Sequence, residues 1–582
     1  RHRDRDPSLS HTHTLPSIPL KHTHIYPFSQ TPMTDNTPTP TPMASLHYPT
    51  PSTTNTAKHI LSTATSAAIP HIGSFASQTA EDIQSESNWR WKYDKHAVNH
   101  VRVCAQATPE GCLDVCRVGL EALYDHFRYG DLSLGEMLKA RSHNNNNGSK
   151  GYFETGVVVG HKPPSMTYEP HTNNTRPCLT LPLHSQLLTG PQVHAQASRW
   201  VSQGVIEPDT AHALANLTMS DVNLKESDWV FCILGAGAAM GPLETLLGLG
   251  ATVVALDLPI PKVWNRLMDL ARDSPGSISF PLRPQSSGSV VETDAERAGC
   301  NLLTQIPEII SWLILQHPQK RLVLGSYAYL DGANFVKVSL AMDAIVSQTL
   351  ASRPNSALSY LCSPTDVFAI PSLARDAARE NYVRNEKSRV QKLLTKILPK
   401  GQIFRENVVA PHSSNTSSLP LVDALILQQG PNYFLAKRLQ HWRAMLSRHT
   451  YPDAVVSSNV APASYTNSVV KNPLLKAGFG AAHHFSPIAI FDPGTSNVLM
   501  TYLLLHDLKT GLRNNLNQPP EVATHPLLLF STTPVHNGIW RCGYQIRSLL
   551  ELALTYFYLE RYKPQLLASL LVLVSAGVVS RL

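Results

Sequence analysis

The sequence predicts an α/β fold, a doubly wound parallel sheet preceded by a helical extension. From residue 228 onward, short apolar runs alternate with helical stretches, and a glycine-rich turn joins the first run to its helix. Before residue 228 the pattern is mostly helical. The chain has 582 residues, of which 42% are apolar and 16% charged. This composition is typical of a globular protein and excludes a disordered polyelectrolyte.

Residues 1–87 are expected to form a disordered leader. Between residues 7 and 80, Asp35 is the single acidic residue among Ser, Thr, Pro and His. From Met43 onward the segment is free of acids and rich in Ser, Thr and Ala, which suits an organelle transit peptide. The interpretation places the protein in a plastid or mitochondrion if this leader is such a peptide, and in the cytoplasm otherwise.

Residues 88–227 are predicted to form a helical N-terminal region, for which we expect the role of a lid or of a contact in a homo-oligomer. Cys112 and Cys116 lie four residues apart, on one face of a helix, where they act as small apolar residues. The chain has 8 cysteines without a CxxC pair, so neither a disulfide scaffold nor a metal site is predicted. The net charge of +7 includes no Lys/Arg run, so we expect no nucleic-acid partner.

Residues 228–545 are predicted to form a dinucleotide-binding domain with an insert at about 374–419, where a charged helix precedes a polar loop. Further strands are predicted at 277–282, 321–329 and 357–362. Residues 546–582 are read as an apolar helical tail. Its apolar run, Leu566–Val579, has 14 residues, whereas about 20 are needed to span a bilayer, so no transmembrane span is expected.

The glycine turn is the first motif that carries chemistry. A strand at Val230–Leu234 leads into a turn, then a helix and a strand at Thr252–Leu256, which ends on Asp257. Small residues let backbone N–H groups approach a pyrophosphate at the start of a helix. The candidate cofactor-binding residues of the turn are Gly235, Gly237, Ala239, Met240 and Gly241.

Asp257 is the candidate acid for the ribose of the cofactor. Its carboxylate can accept from the ribose hydroxyls and repels a 2′-phosphate, so NAD is favoured. Lys262 and Arg266 follow closely enough to allow NADP as well. The rival for this unit is a methyltransferase that binds S-adenosylmethionine through a similar first βαβ unit.

A second motif is predicted on a helix that begins near Pro431. Tyr433 and Lys437 are four residues apart, so they lie side by side on this helix. An ammonium beside a phenol favours the phenolate, so we expect the pKa of Tyr433 to be lowered, as a proton-transfer group at a carbonyl or alcohol requires. The alternative is a pair of solvated helix residues.

These residues resemble the short-chain dehydrogenase/reductases, a family with the Rossmann fold. The turn GAGAAMG at 235–241 is similar to the family's glycine motif, with Ala239 where a middle glycine is usual. Tyr433 and Lys437 match the family's Tyr-x-x-x-Lys, and the stretch SSNVAPASYTNSV looks like its strand and proline loop. The resemblance implies that Pro462 and Thr466 close over the nicotinamide end of the cofactor. It covers about 228–470.

The family's serine has several candidates here. The resemblance implies a serine at the end of the fifth strand, which gives Ser363, with Thr365 as a substitute. Ser417 and Ser418 are closer to Tyr433 in sequence but are expected in a loop. We prefer Ser363.

Two other family positions have substitutes in this chain. Gly325 and Ser326 stand where the family has Asn-Ala-Gly, and Gly325 is therefore a cofactor-binding candidate. Asn334 could serve as the family's helix asparagine or cap the N-terminus of the helix.

The leading hypothesis is an NAD(P)-dependent oxidoreductase that interconverts a small-molecule alcohol and carbonyl. Tyr433 would transfer the hydroxyl proton, Lys437 would lower its pKa and hold the ribose, and Ser363 would orient the substrate oxygen. The rivals are a non-catalytic dinucleotide-binding module and the methyltransferase. The module is supported by Ala239 and by the missing Asn-Ala-Gly.

Overall fold

A parallel sheet organises the protein. The computed structural model describes residues 44–49, 53–144, 152–162, 179–285, 292–386, 404–410, 419–511 and 525–561. The strands in chain order are β1 Leu46–His47, β2 Arg128–Tyr129, β3 Leu132–Ser133, β4 Glu154–Val159, β5 Thr180–Leu183, β6 Gln186–Thr189, β7 Trp229–Leu234, β8 Thr252–Leu256, β9 Ser277–Leu282, β10 Arg321–Ser326, β11 Ala357–Cys362, β12 Val367–Ala369, β13 Val408–Val409, β14 Leu421–Asp423 and β15 Val456–Val460.

The helices lie between and around these strands. They are α1 Thr53–Ser66, α2 Ile69–Ile72, α3 Ser74–Ser85, α4 Trp89–Gln106, α5 Pro109–His126, α6 Leu134–Asn144, α7 Pro191–Ser202, α8 Pro208–Asn216, α9 Met219–Val222, α10 Leu243–Gly248, α11 Pro261–Arg272, α12 Asp294–Arg297, α13 Ile306–Ile314, α14 Ala333–Ser352, α15 Ser372–Glu386, α16 Gly430–Thr450, α17 Asn467–Lys471, α18 Pro473–Gly480, α19 Pro493–Thr510 and α20 Leu550–Arg561. Short 3-10 helices span Ala482–His484, Pro526–Ser531 and Ile546–Leu549.

The central sheet has seven strands in the order β15-β11-β10-β7-β8-β9-β4. All neighbours pair in parallel except β4, which runs antiparallel to β9 at one edge. The predicted α/β class with a parallel sheet is confirmed, and β8, β9 and β11 have the predicted bounds. Apolar runs bounded by turn residues are typical of such buried strands.

Helices cover both faces of the sheet. Leu358 and Tyr360 of β11 point to a core shared with α13, α14 and α16, whereas Ala357 points to a core shared with α10, α11 and α19. Successive strand residues point to opposite faces, so each strand contributes to both cores. The helix that carries Tyr433 and the helix after the glycine turn therefore lie on opposite faces.

The expected disorder of the leader is wrong for residues 53–85, which form α1, α2 and α3. Ala57, Ile60, Leu61 and Ala64 recur at helical spacing on α1 and are fully buried. The polar composition concealed this apolar face. Because these side chains lie in the core, they argue against a cleaved transit peptide over the same residues. Residues 1–43 lie outside the described residues.

The region 88–227 is predicted to be helical. It contains the expected helices, but it also contributes β4 to the central sheet and the hairpin β5–β6. Its helices belong to the core of the sheet. A Cβ added at Gly119 of α5 would lie 2.7 Å from the ring of Trp442 on α16. The Tyr93 hydroxyl of α4 donates to the Ile426 carbonyl at 2.9 Å. The N-terminal helices thus support the helix that carries the tyrosine.

The predicted insert begins with a helix, α15, and contains β13. This strand joins β12, which precedes the insert, and β14, which follows it, in a small antiparallel sheet of order β12-β14-β13. Residues 387–403 and 411–418 of the insert lie outside the described residues. The tail starts with α20, as expected, and its apolar run Leu566–Val579 lies outside them too. Among the helices that the structure describes, none is both long and apolar enough to cross a membrane.

Candidate functional site

The glycine turn, which follows β7, lies directly against the end of β10, a neighbour of β7 in the sheet. Gly235 has φ +92°, and its N–H donates to the Leu256 carbonyl at 2.8 Å. A Cβ added there would lie 2.5 Å from the backbone of Ala328, which follows β10. Only glycine satisfies both the positive φ and the close approach. The turn, which continues from β7, is thereby held between the ends of β8 and β10.

Asp257, at the end of β8, is brought to the glycine turn as predicted. Its Oδ2 accepts from the Gly237 N–H at 2.6 Å, and its Oδ1 accepts from the Leu258 N–H at 2.8 Å. Burial raises the pKa of Asp257, while these hydrogen bonds and the charge of Arg266 oppose the rise. The Arg266 guanidinium donates to the Gly237 carbonyl at 3.4 Å. A basic residue therefore shares this corner with the acid.

The end of the turn contacts α19, a helix that the sequence did not connect with it. The Asn497 amide donates to the Ala239 carbonyl at 3.0 Å, and its own Oδ1 is buried without a hydrogen-bond partner among the described residues. Met240 lines a small cavity between the turn, α19, the strands β11 and β15, and Tyr327, which follows β10. Its polar lining residues are Tyr327, Ser359, Ser457, Asn459, Asn497 and Thr501.

Ser363 and Tyr433 meet at the carboxyl edge of the sheet. Ser363 follows β11 directly and is 6% exposed. Helix α16 starts at Gly430, which has φ +78°, and continues with Pro431, so Tyr433 lies in its first turn. Ser363 lies close enough to the Tyr433 hydroxyl to act on its pKa, which it lowers. The structure therefore brings together two of the three predicted catalytic residues, whereas the alternatives Ser417 and Ser418 lie outside the described residues.

Lys437 is expected to lower the pKa of Tyr433, but the net shift of that pKa is upward. Burial raises the pKa of Tyr433 to about 12, and Ser363 opposes this rise. The Lys437 ammonium lies 5.9 Å from the centroid of the Tyr433 ring. It donates instead to the Leu361 carbonyl at 2.9 Å and to Gln440 Oε1 at 3.0 Å. The i, i+4 spacing places the two residues side by side, but it does not fix where the ammonium points.

Lys437 is itself perturbed by its surroundings. Burial lowers its pKa to about 8, and the neighbouring Arg438 acts in the same direction. The ring of Phe335, on α14, stacks on that of Tyr433 with centroids 5.2 Å apart, and the Lys437 ammonium lies 5.6 Å from the Phe335 ring. The Phe335 ring, whose position the sequence did not indicate, therefore shields the partly buried tyrosine and lysine on one side.

A buried ion pair holds α16 to the loop that carries Ser363. Arg438 donates to Asp366, and both side chains are 3% exposed. Burial raises the pKa of Asp366, and the charge of Arg438 opposes the rise. The Arg438 guanidinium also lies 4.8 Å from the centroid of the Phe434 ring. Such a pair, once formed, strongly favours one arrangement of loop and helix.

The remaining predicted positions lie at the same carboxyl edge. A Cβ added at Gly325, near the end of β10, would lie 2.3 Å from the Tyr327 ring. After β15, the Pro462 carbonyl accepts from the Ser464 hydroxyl at 2.9 Å, and the Thr466 N–H donates to the Ser464 carbonyl at 2.7 Å. Because of these two hydrogen bonds, the predicted proline loop forms a compact turn.

Asn334 is exposed on α14, and the N-cap of that helix is Gly332. The capping role proposed for Asn334 is therefore wrong, and its role in proton relay stays a prediction.

Gln429 is a site residue that the sequence analysis missed. Its amide Nε2 donates to the Thr365 hydroxyl at 2.6 Å and to the Ser363 hydroxyl at 3.3 Å. The available signal was its position directly before the helix that carries Tyr433. Within the described parts of the chain, no group of three or more His, Cys, Asp or Glu side chains could hold a metal ion.

Comparison of the chain with protein-family models, with curated proteins and with solved structures finds no match. The geometry of the site is therefore the evidence on which a function can be proposed.

Proposed function

We propose that this protein is an NAD(P)-dependent oxidoreductase, similar to the short-chain dehydrogenase/reductases, that interconverts an alcohol and a carbonyl. One observation carries the proposal. Ser363 lies beside Tyr433 at the carboxyl edge of a parallel sheet, near enough to act on the pKa of the phenol, and Lys437 lies one turn later on the tyrosine helix. When a carbonyl is reduced or an alcohol is oxidised, the substrate oxygen gains or loses a proton. A phenol can transfer that proton, and a second hydroxyl nearby can hydrogen bond to the same oxygen.

The sheet order supports a doubly wound Rossmann fold. Reading β7 to β11 and then β15 as strands 1 to 6, the parallel order is 3-2-1-4-5-6, with β4 added beside strand 3. In such sheets, ligands bind where the order reverses, which here is between β7 and β10. The glycine turn follows β7 and contacts the residue after β10, so it lies at this crevice.

The residues at the crevice fit a dinucleotide. A Cβ added at Gly237 would lie 3.0 Å from Asp257 Oδ2, so glycine keeps the turn open beside the acid. Asp257 would accept from the adenosine ribose, and Lys437 would hold the other ribose. The residues proposed to surround the cofactor are Gly235, Gly237, Ala239, Met240, Gly241, Gly325, Pro462 and Thr466. When bound, the nicotinamide supplies a hydride donor or acceptor.

The chain's own residues handle the proton. In carbonyl reduction, Tyr433 Oη gives its proton to the substrate oxygen, while Ser363 donates a hydrogen bond to that oxygen. In alcohol oxidation the same proton returns to Tyr433. Because its pKa is raised to about 12, Tyr433 is protonated at neutral pH, and the site favours reduction there. Phe335 shields the phenol from solvent.

A second candidate is a non-catalytic dinucleotide-binding module. The observation that favours it is the Lys437 ammonium, which donates to the Leu361 carbonyl while the pKa of Tyr433 is raised. In such a module the crevice would bind a cofactor, but the phenol would transfer no proton.

A titration followed by a screen separates the candidates. Binding of NAD(H), NADP(H) and S-adenosylmethionine is measured by calorimetry, and aldehydes and ketones are then screened by the absorbance of the reduced nicotinamide. We expect NAD(H) to bind and at least one carbonyl to be reduced. Binding of S-adenosylmethionine alone would refute the proposal, and dinucleotide binding without turnover across the screen would favour the module.

A further inference from the structure

We infer that Asn537 is a positioning residue that holds the proline loop, residues 461–466, where the nicotinamide end of the cofactor is proposed to bind. The inference rests on the proposed function and deepens it. Asn537 follows the loop residue Ala463 by 74 positions and is fully buried. It lies outside the part of the chain that resembles the dehydrogenases, and nothing in that resemblance assigns a role to it.

The proline loop begins beside the proposed catalytic residues. It follows β15, and the Ala461 N–H donates to the Cys362 carbonyl at 3.0 Å. Cys362 ends β11 and directly precedes Ser363. A loop at this place can contact a ligand that binds next to Ser363 at the carboxyl edge of the sheet.

The Asn537 side chain joins the loop to a second segment of the chain. Its Oδ1 accepts from the Ala463 N–H at 2.7 Å, and its Nδ2 donates to the Ala489 carbonyl at 2.7 Å. An amide oxygen only accepts and an amide nitrogen only donates, so a single orientation of the side chain satisfies both backbone groups. The Phe491 N–H donates in turn to the Ala463 carbonyl at 3.0 Å. Both polar groups of the Ala463 backbone are therefore held.

The backbone on both sides of Asn537 is fixed as well. The Val535 N–H donates to the Val460 carbonyl, at the end of β15, at 3.0 Å. The Gly538 N–H donates to the Val205 carbonyl at 2.9 Å. Asn537 itself has φ +54°, a left-handed conformation that Asn adopts more readily than most residues other than glycine. This conformation directs the side chain to the loop without displacing its neighbours.

Charged groups from the region before the sheet anchor the same segment. The buried Glu207 carboxylate accepts from His536 Nε2 at 2.9 Å. It also accepts from the Arg541 guanidinium at 2.7 and 2.6 Å. Hydrogen bonds between a carboxylate and a bidentate arginine are strong and fix direction. Because His536 directly precedes Asn537, these bonds make the segment a rigid support for the loop.

This support has a consequence for cofactor binding. A loop that already has its bound conformation costs no ordering free energy when the nicotinamide end of NADH binds. Without the Asn537 side chain, binding of NADH has to order the loop. ADP-ribose carries the adenosine, the pyrophosphate and the second ribose of NADH but lacks the nicotinamide, so its binding does not need the loop. The ratio of the two affinities therefore measures the support that Asn537 gives.

The test uses Asn537→Gly in the full chain. Glycine tolerates the positive φ at this position, so the variant removes only the side chain that bridges Ala463 and Ala489. We expect the Kd of NADH, measured by calorimetry, to rise about tenfold, because binding now orders the loop. The Kd of ADP-ribose should change by less than about twofold. An unchanged Kd of NADH, or an equal rise for both ligands, would overturn the inference.

Asn407→Gly is the matched control for lost stability. Asn407 is also buried, and its Nδ2 donates to the Ile539 carbonyl at 3.2 Å and to the Trp540 carbonyl at 3.3 Å. The variant therefore removes side-chain hydrogen bonds to the same segment without removing one to the proline loop. We expect a lower Tm and an unchanged ratio of NADH affinity to ADP-ribose affinity. A ratio that falls as far as in Asn537→Gly would assign the effect to general destabilisation and overturn the inference.

A measurement without cofactor separates the two proposals. If the wild-type protein does not bind NADH, the oxidoreductase proposal fails. Hydrogen exchange of the free protein, followed by mass spectrometry with electron-transfer fragmentation, then decides the role of Asn537. We expect the Ala463 N–H to be protected in the wild type and to exchange about tenfold faster in Asn537→Gly. Equal exchange in the two proteins would overturn the inference, and so would an unprotected Ala463 N–H in the wild type, which needs no variant that folds.

Discussion

The two halves of the central sheet hold their functional groups by different means. In β7–β9 the groups are mainly backbone atoms of the glycine turn, joined by the single carboxylate of Asp257. In β10, β11 and β15, with α16, they are the side chains of Ser363, Tyr433 and Lys437. A backbone site depends on where glycines fall in the sequence, whereas a side-chain site depends on what surrounds it after folding.

The surroundings of the two halves differ accordingly. The half that contains β10, β11, β15 and α16 is braced by charges, since Arg438 pairs with Asp366 and Arg443 donates to Asp343 at 2.7 Å. The Tyr124 hydroxyl of α5 also donates to Asp343, at 2.7 Å. The nucleotide half is packed with apolar side chains of α10 and α11. Helices α1, α4 and α5 therefore pack against the half that holds Ser363 and Tyr433.

Replacing the phenol of Tyr433 should have the largest effect on kcat. It should also distinguish the two halves most clearly, because NADH affinity should not change. Tyr433→Phe removes the proton donor, so we expect kcat to fall about 10³-fold with unchanged NADH affinity. Steady-state kinetics and calorimetry measure the two. The control is Tyr451→Phe, which removes a hydroxyl just after the same helix. Unchanged turnover in Tyr433→Phe would remove the tyrosine from the mechanism.

Breaking the buried ion pair between Arg438 and Asp366 should destabilise the protein, whereas breaking an exposed ion pair in the β7–β9 half should have little effect. Arg438→Met leaves Asp366 buried and unpaired, and we expect the free energy of unfolding to fall by about 3–5 kcal/mol. The double variant with Asp366→Leu should recover most of this loss. Arg272→Met, which breaks the exposed pair with Asp269, should change stability by less than about 1 kcal/mol. Equal losses in urea denaturation would contradict the contrast between the halves.

The pH dependence of alcohol oxidation should report the buried phenol. Oxidation needs the phenolate, and the pKa of Tyr433 is raised to about 12, so the phenolate is scarce at neutral pH. We expect kcat/KM for oxidation to rise about tenfold per pH unit between pH 7 and 10. A plateau of kcat/KM near pH 7 would mean that the Tyr433 phenol ionises at a pH far below this raised pKa.

Removing the acid of the nucleotide half should have the smallest effect. Asp257→Asn removes a charge that repels a 2′-phosphate and leaves Arg266 nearby, so we expect the ratio of NADP to NAD affinity to rise about tenfold. Asp269→Asn, on the same helix as Arg266, is the matched control. An unchanged ratio in Asp257→Asn would show that this acid does not contact the cofactor ribose.

Sequence reasoning predicted the parts that local patterns determine. The strands β8 and β11 and the position of Ser363 follow from apolar runs and from the way that parallel strands end at one edge. Strand β4 was missed because its partner, β9, lies more than a hundred residues later. The sign of the pKa shift at Tyr433 depends on burial by Phe335 and on the direction of Lys437, which spacing does not encode.

The contact between Gly119 and Trp442 has a consequence for the synthesis of the protein. Trp442 follows Gly119 by 323 residues, which is on the order of tens of seconds at about 5–20 residues per second on the ribosome. During that time α1 and α5 can pack on each other, but the face of α5 around Gly119 lacks α16. A nascent chain that stops before α16 leaves this face uncovered. The packing of α5 is therefore completed only after the helix that carries Tyr433 has been made.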